Sequence, residues 1–320
     1  MEYSGIKRIA VIKHGALGDM LLARPMLVLL KETFPSAHLT LSVVSNYLFG
    51  IPEDLVDEIH VSLGNEKKHG IRKSYSAMRK LGPQDLLFDI SSTPRSHWIS
   101  KLTPAGLKVG FTHKGIHRFI YDVAIPRAHY RFEAETFMEQ LNVIGLREWP
   151  PRFNMEKPKR IKEGNYIVYF PTASIANKIW PKEHYVELIK YTCAQNPELT
   201  HVLLSGLSDW ELEIAEFISE KVGEPENFEY IRGGDQTNSL IANATALVSS
   251  DTGIRNMAIA YDTPTLGIFP QSATIFGYTP LYGQHLAISD LESSYPGVQK
   301  VTQGFESMMQ ALETTTSQST

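Results

Sequence analysis

Apolar positions along the chain fall into two alternating kinds of run. Short, nearly continuous runs occur at Ile9 to Lys13, Leu39 to Val44, Leu86 to Ile90 and Lys108 to Phe111. Such runs suit strands buried on both faces, as in a parallel sheet. Between them lie longer stretches with apolar residues every three or four positions. Met20 to Phe34 is one predicted helix, and Tyr130 to Gly145 is another through Phe137, Leu141 and Ile144. The rhythm restarts after residue 165. Strands are expected at 166–171, 201–206, 246–251 and 263–269, and helices at 181–195, 209–223 and from about Gly253. This alternation predicts an α/β protein with parallel sheets wrapped by helices. The aromatic stretch "FIYDVAIPRAHYRF" at 119–132 reads as core, and the tail "TTTSQST" is expected to fray.

Between the two arrays, residues 146–165 are rich in Pro, Lys and Arg and carry no regular apolar period, which suits a crossing linker. The expected domains are therefore 1–155 and 156–320. A chain of 320 residues is also longer than one hydrophobic core usually grows. A formal net charge of -4 argues against a nucleic-acid-coating protein. One cysteine, Cys193, cannot close an intrachain disulfide and reads as a buried filler of a helix. The apolar stretch Met20 to Leu30 is broken by Arg24 and Pro25 and is too short to span a bilayer, and "MEYSGIKR" has no apolar leader. The expected location is the cytoplasm, or a membrane surface that the chain does not cross.

The first strand runs into Gly15-Ala16-Leu17-Gly18-Asp19. This is not the dinucleotide fingerprint, because its second glycine would fall at Leu17. The second strand also ends "VVSN", without an acid for a ribose. No G-K-S/T triplet occurs, so a P-loop is excluded. What remains is a glycine-lined turn at the carboxyl end of a strand, where open α/β sheets hold ligands, with Asp19 at or near a helix start. A helix cap and a functional carboxylate both fit it. In the second half, Asp251-Thr252-Gly253 lies between a strand and a helix, where amides and a hydroxyl can meet an anion. Upstream, the loop after strand 166–171 carries Thr172, Ser174 and Lys178. Taken singly, Lys178 suits a solvated surface and Thr252 a plain cap. As a pair, the two loops would offer a diphosphate hydroxyl and ammonium donors.

Three segments, "IAVIKHGALGDMLLARPMLVLLKETFPSAHLTLSVV", "PTASIANKIWPKEHYVELI" and "LIANATALVSSDTGIRNMAIAYDTPTLGIF", resemble in order and spacing the ADP-heptose:lipopolysaccharide heptosyltransferases of glycosyltransferase family 9. The resemblance implies a GT-B fold, two Rossmann-like doubly wound domains facing across a cleft. The first would bind the acceptor and the second the nucleotide sugar, with the last helix able to pack back on the first domain. It implies an inverting transfer of heptose from ADP-heptose to a Kdo or heptose of a lipopolysaccharide or lipooligosaccharide inner core. Asp19, framed by Gly15 and Gly18, falls on the family's general base. Lys178 falls on its donor-phosphate lysine, Asp251, Thr252 and Gly253 on its donor loop, and Thr172 and Ser174 on its hydroxyl positions. Where the family usually has "DTGxxH", this chain reads "DTGIRN", so Asn256 can offer only a neutral hydrogen bond. The ribose-binding acid stays open among Ser208, Asp209 and Glu211.

Lys178 and the helix start would stabilise the departing ADP in place of a divalent metal. No Asp-x-Asp triplet or zinc-spaced Cys/His cluster occurs, and neither metal nor cofactor is expected. The run 65–80 carries Lys67, Lys68, Arg72, Lys73, Arg79 and Lys80, with Arg95, Lys114 and Arg118 further on. These suit either a solvated helix face or a basic mouth for an anionic glycolipid, which would also hold the protein on the inner face of the inner membrane. A same-fold transferase of another nucleotide sugar and a non-catalytic sugar-nucleotide-binding protein are the rival readings.

Overall fold

The computed structural model describes residues 5–66, 68–112, 115, 119–270 and 274–318. Lys67, Lys114 and Arg118 lie outside them. The chain divides into two compact units, Met1–Asn154 and Met155–Thr320.

In the first unit the elements run β1 (Arg8–Ile12), α1 (Leu17–Thr33), β2 (His38–Val44), β3 (Glu58–Ser62), α2 (Ile71–Arg79), β4 (Gln84–Asp89), α3 (Pro94–Leu102), β5 (Ala105–Thr112), β6 (Val123–Pro126) and α4 (Glu133–Met138). The strands form one parallel sheet in the order β3-β2-β1-β4-β5-β6. Ile9 pairs with Leu39 on one edge and Leu86 on the other, and Ile9 to Ile12 of β1 are all buried. The second unit comprises β7 (Tyr166–Phe170), α5 (Lys182–Gln195), β8 (Thr200–Leu204), α6 (Asp209–Val222), β9 (Phe228–Ile231), α7 (Thr237–Ala242), β10 (Ala246–Ser250), α8 (Gly253–Ala260), β11 (Thr265–Phe269), α9 (Ile275–Tyr278), β12 (His285–Ser289) and α10 (Val298–Gln318). Its parallel sheet has the order β12-β11-β10-β7-β8-β9. Counted within each unit, both sheets follow the Rossmann order 3-2-1-4-5-6. Strand order reverses between β1 and β4, and between β7 and β10. Loops leaving the carboxyl ends of those neighbouring strands diverge and leave a crevice.

Several elements differ from the sequence expectations. Helix α1 starts at Leu17, three residues early, so Asp19 sits in the first turn and Ala16 holds the N-cap position. The expected helix 130–145 begins only at Glu133 and tightens into a 3-10 turn over Glu139–Ile144. In the 119–132 stretch, Tyr121 and Phe132 are buried but Phe119 and Tyr130, which lie outside edge strand β6, are exposed. The tail expected to fray is helical as far as Gln318. Upstream, Val301, Phe305 and Met308 bury one stripe of α10 in the core beside β11. Gly304 lets the helix approach, since a Cβ there would lie 2.8 Å from Ile288 Cδ1.

Residues 146–165 form no helix or strand, yet they are tied down. The buried guanidinium of Arg24 donates from Nε to the Phe153 carbonyl at 2.6 Å and from Nη2 to that of Asn154 at 3.0 Å. Asp54 accepts from both of its terminal nitrogens. The charge that breaks the apolar run of α1 is thus the anchor of the strap. Further on, Ser239 donates to the Lys159 carbonyl at 2.6 Å and Asn243 to that of Pro158 at 3.0 Å.

Candidate functional site

Asp19 lies where the glycine turn places it. A Cβ on Gly15 would come 2.7 Å from the Asp19 Cβ, so only glycine lets the carboxylate fold over the turn. Gly18 is buried one residue earlier in the helix. The Asp19 side chain is 34% exposed, and its Oδ1 is 3.8 Å from Nζ of Lys13, the residue that follows β1. Lys13 is buried, with its ammonium 4.3 Å above the Phe137 ring. Burial pulls its pKa below the ordinary lysine value, while Asp19 and then Glu133 push back. Glu133 itself pairs with Arg127 at 2.5 Å. Next in the chain, His14 donates its backbone N–H to Ser91 Oγ at 2.6 Å. Burial, aided by the charges of Arg95 and Lys13, holds the His14 pKa down to about 3. The result is a partly exposed carboxylate beside a buried lysine.

Arg95 sits in the first turn of α3, whose start is closed by a Thr93–Ser96 capping box, and donates from Nη2 to Asn65 Oδ1 at 2.6 Å. It lines a cavity of about 370 Å³ with Asn65, Lys68, His69, Ser74 and Met78. Helix α2 buries no residue. Ile71 is 89% exposed, and Tyr75, Arg72, Lys73, Arg79 and Lys80 are exposed beside it. On α3, Trp98 is exposed with Lys101 Nζ 5.4 Å above its ring. No Asp or Glu occurs between Lys67 and Gln84 or within α3. The structure therefore brings Lys68 and Arg95 to one cavity and leaves Arg72 and Lys73 on an open, carboxylate-free helix.

In the second unit, the loops after β7 and β10 are stitched by Ser250. Its hydroxyl donates to the Pro171 carbonyl at 3.2 Å and accepts from the Trp180 N–H at 3.2 Å. Lys178 ends a short 3-10 turn, Ala176–Lys178, with Nζ 2.8 Å from Asp251 Oδ2 and 5.5 Å above the Tyr278 ring. The same carboxylate oxygen accepts from Thr274 Oγ1 at 2.9 Å. Thr252 is the N-cap residue of α8 and Gly253 its first residue, while Asn256 is buried a turn further on. Thr172 goes elsewhere. It is buried and donates its hydroxyl to Glu211 Oε1 at 3.0 Å. The other Glu211 oxygen accepts from the Ser208 hydroxyl at 2.6 Å, closing the capping box of α6. Of the three candidate ribose contacts, Glu211 is the one joined to Thr172. Gly206 makes room for its carboxylate. Ser174 is exposed. An ammonium, a carboxylate and a helix start thus meet at the crevice between β7 and β10, where an anion is favoured.

Sequence reasoning missed Arg255. It is 1% exposed and among the largest fully buried side chains, in a helix that also buries Asn256, Met257, Ala258, Ile259 and Ala260. A signal was present in β11, because a glycine inside a strand marks a close approach. A Cβ on Gly267 would clash with the Arg255 guanidinium.

Among the described residues no group of three metal-ligating side chains occurs, and no helix is long and apolar enough to cross a membrane. Residues 74–304 match the model of glycosyltransferase family 9 (heptosyltransferase). Asp19 lies before that span. No curated protein matches the chain. Among solved structures, the chain is similar to the E. coli heptosyltransferase WaaC with ADP, at 18% identity and a TM-score of 0.73, over 95% of this chain and 98% of that one. It is similar to the E. coli ADP-heptose lps heptosyltransferase II at 20% identity and 0.66, over 95% and 98%. A glycosyl transferase family 9 protein from Veillonella parvula DSM 2008 matches at 19% identity and 0.68, over 89% and 86%. The shared architecture is the GT-B fold of two Rossmann-like domains.

Proposed function

Because the chain belongs to glycosyltransferase family 9 (heptosyltransferase), we propose that it transfers heptose from ADP-heptose to the inner core of a lipopolysaccharide or lipooligosaccharide, at a Kdo or heptose hydroxyl. The observation that carries this reading is the Lys178–Asp251 pair at the start of α8. It sets a cation and a helix start at one crevice, as a departing diphosphate requires. Asp19 takes the proton of the acceptor hydroxyl as its oxygen forms the new bond to the anomeric carbon. The bond from that carbon to the β-phosphate oxygen breaks, its electrons leave with ADP, and configuration inverts. Lys178, Thr252 and Gly253 receive the developing charge, with Ser174 and the neutral amide of Asn256 as further donor contacts. Thr172 acts through Glu211. The reaction needs no metal on this reading. Lys68 and Arg95 face the anionic acceptor, and the exposed basic face of α2 rests on an anionic inner-membrane leaflet from the cytoplasmic side.

The test is a thermal-shift titration with ADP, UDP and GDP, followed by product formation from ADP-heptose in chelator. A ligand that binds only the folded state raises the melting temperature by mass action. ADP is expected to shift it most, and turnover is expected to survive chelation. A preference for UDP or GDP would transfer the assignment to another nucleotide sugar.

A further inference from the structure

Arg255 is a buried charge with no carboxylate bonded to it among the described residues. Its Nη1 donates to the Tyr278 carbonyl and its Nη2 to that of Leu286 at 3.3 Å, while Nε finds no partner among the described residues. The Phe269 ring lies 5.3 Å away. No carboxylate salt-bridges it among the described residues. The acid whose charge it feels is Asp251, and that carboxylate is already engaged by Lys178 and Thr274. Burial nonetheless pulls the guanidinium down only to about 10, so it is charged at neutral pH. The carboxylate at the start of α8, where the helix adds about half a positive charge of its own, is thus bonded to Lys178 and only felt at a distance by Arg255. A buried charge in excess is costly unless an anion answers it. Arg255 stands one residue before Asn256, whose amide can offer only a neutral hydrogen bond.

We propose that Arg255 is the electrostatic counterpart of the donor diphosphate, a positioning residue that supplies from inside the domain the positive charge that Asn256 cannot. The proposal rests on the reading of the α8 start as the donor site. Its contacts also fix the segment facing that site. By holding the Tyr278 carbonyl, Arg255 sets the ring that lies against Lys178, just beyond Thr274 on Asp251.

The test compares Arg255→Lys with Arg255→Gln in the full chain. Both replacements keep hydrogen-bond donors for the carbonyls and differ in charge. ADP and adenosine are the probes, read by calorimetry alongside melting temperature. The Lys variant is expected to bind ADP within about threefold of the parent. The Gln variant should lose about tenfold or more, since removing a buried unit charge withdraws a coulombic attraction of that order. Adenosine, which carries no phosphate, should bind all three alike. A Gln variant that binds ADP as the Lys variant does overturns the proposal. Equal losses in both variants, or failure of both to fold, also overturn it, since the guanidinium would then be a fold contact. If the parent itself does not bind ADP, the donor-site reading fails instead.

Discussion

Replacing Asp19 by Asn should separate two roles that one carboxylate holds. At 3.8 Å from Lys13 Nζ, the pair would be worth about 4 kcal/mol at an effective dielectric of about 20. Asp19 is about a third exposed, and solvent screening reduces this to about 1–2 kcal/mol. The Asn variant leaves Lys13 as a buried cation without that partner, so its urea midpoint should fall by that amount. Turnover should fall by about 10²–10⁴-fold, the usual contribution of a positioned general base. Adding Lys13→Met removes the stranded cation and fills its space with an apolar chain over Phe137. Stability should then return while turnover does not. Urea unfolding and product formation on the two single variants and the double variant decide it. An Asn variant that keeps turnover within tenfold removes Asp19 from the chemistry. A double variant as unstable as Asp19→Asn removes the ion pair from the argument.

Acid should destabilise the protein through its buried histidines. His14 and His285 are both held down to about 3, and His60 and His201 shift the same way, chiefly through burial. Below about pH 6.5 the unfolded chain takes up protons that these folded rings refuse, so stability is lost as pH falls from about 6.5 toward 3. For His14 and His285 the slope approaches about 1.4 kcal/mol per pH unit each between those limits. Urea midpoints between pH 7.5 and 5 should decline, less steeply in His285→Gln, and a constant midpoint would contradict the burial argument. At the membrane, the parent should sediment with phosphatidylglycerol vesicles and not with phosphatidylcholine alone. Changing Arg72 and Lys73 to Glu should lower binding by about 25-fold or more, at about fivefold per cation removed. Equal binding of parent and variant would show that α2 does not face lipid.

What the sequence made legible follows burial. Strands covered on both sides, such as β1, β4, β7 and β10, announce themselves as apolar runs ending in Gly, Ser or Asp turns. Edge strands do not. β3 reads "EIHVS" and β9 reads "FEYI", with polar residues interleaved, because one side of each lacks a neighbouring strand. The switch-point loops were visible because glycine and acid mark a strand-to-helix turn whatever lies beyond it. The partners across those turns were not. Nothing local in "YFPTAS" says that the Thr172 hydroxyl turns to Glu211, 39 positions away. Nor does "DTGIRN" reveal that its arginine points inward, because that depends on the space Gly267 leaves in a different strand. Lys13 looked like the end of a strand, and only the stacking of Phe137 upon it shows that its charge is enclosed.

The last helix bears on where this protein can be cut. The match to the family model stops at residue 304, within α10 and just before Phe305 and Met308 enter the core. At the other boundary it starts inside α2, leaving β1, the strand at the middle of its sheet, on the far side. Limits drawn from that match would thus divide both folding units, removing β1, α1, β2 and β3 from one and the core side chains of Phe305 and Met308 from the other. Evolutionary recognisability and mechanical integrity have different borders in this chain, and a fragment designed to the first would forfeit the second.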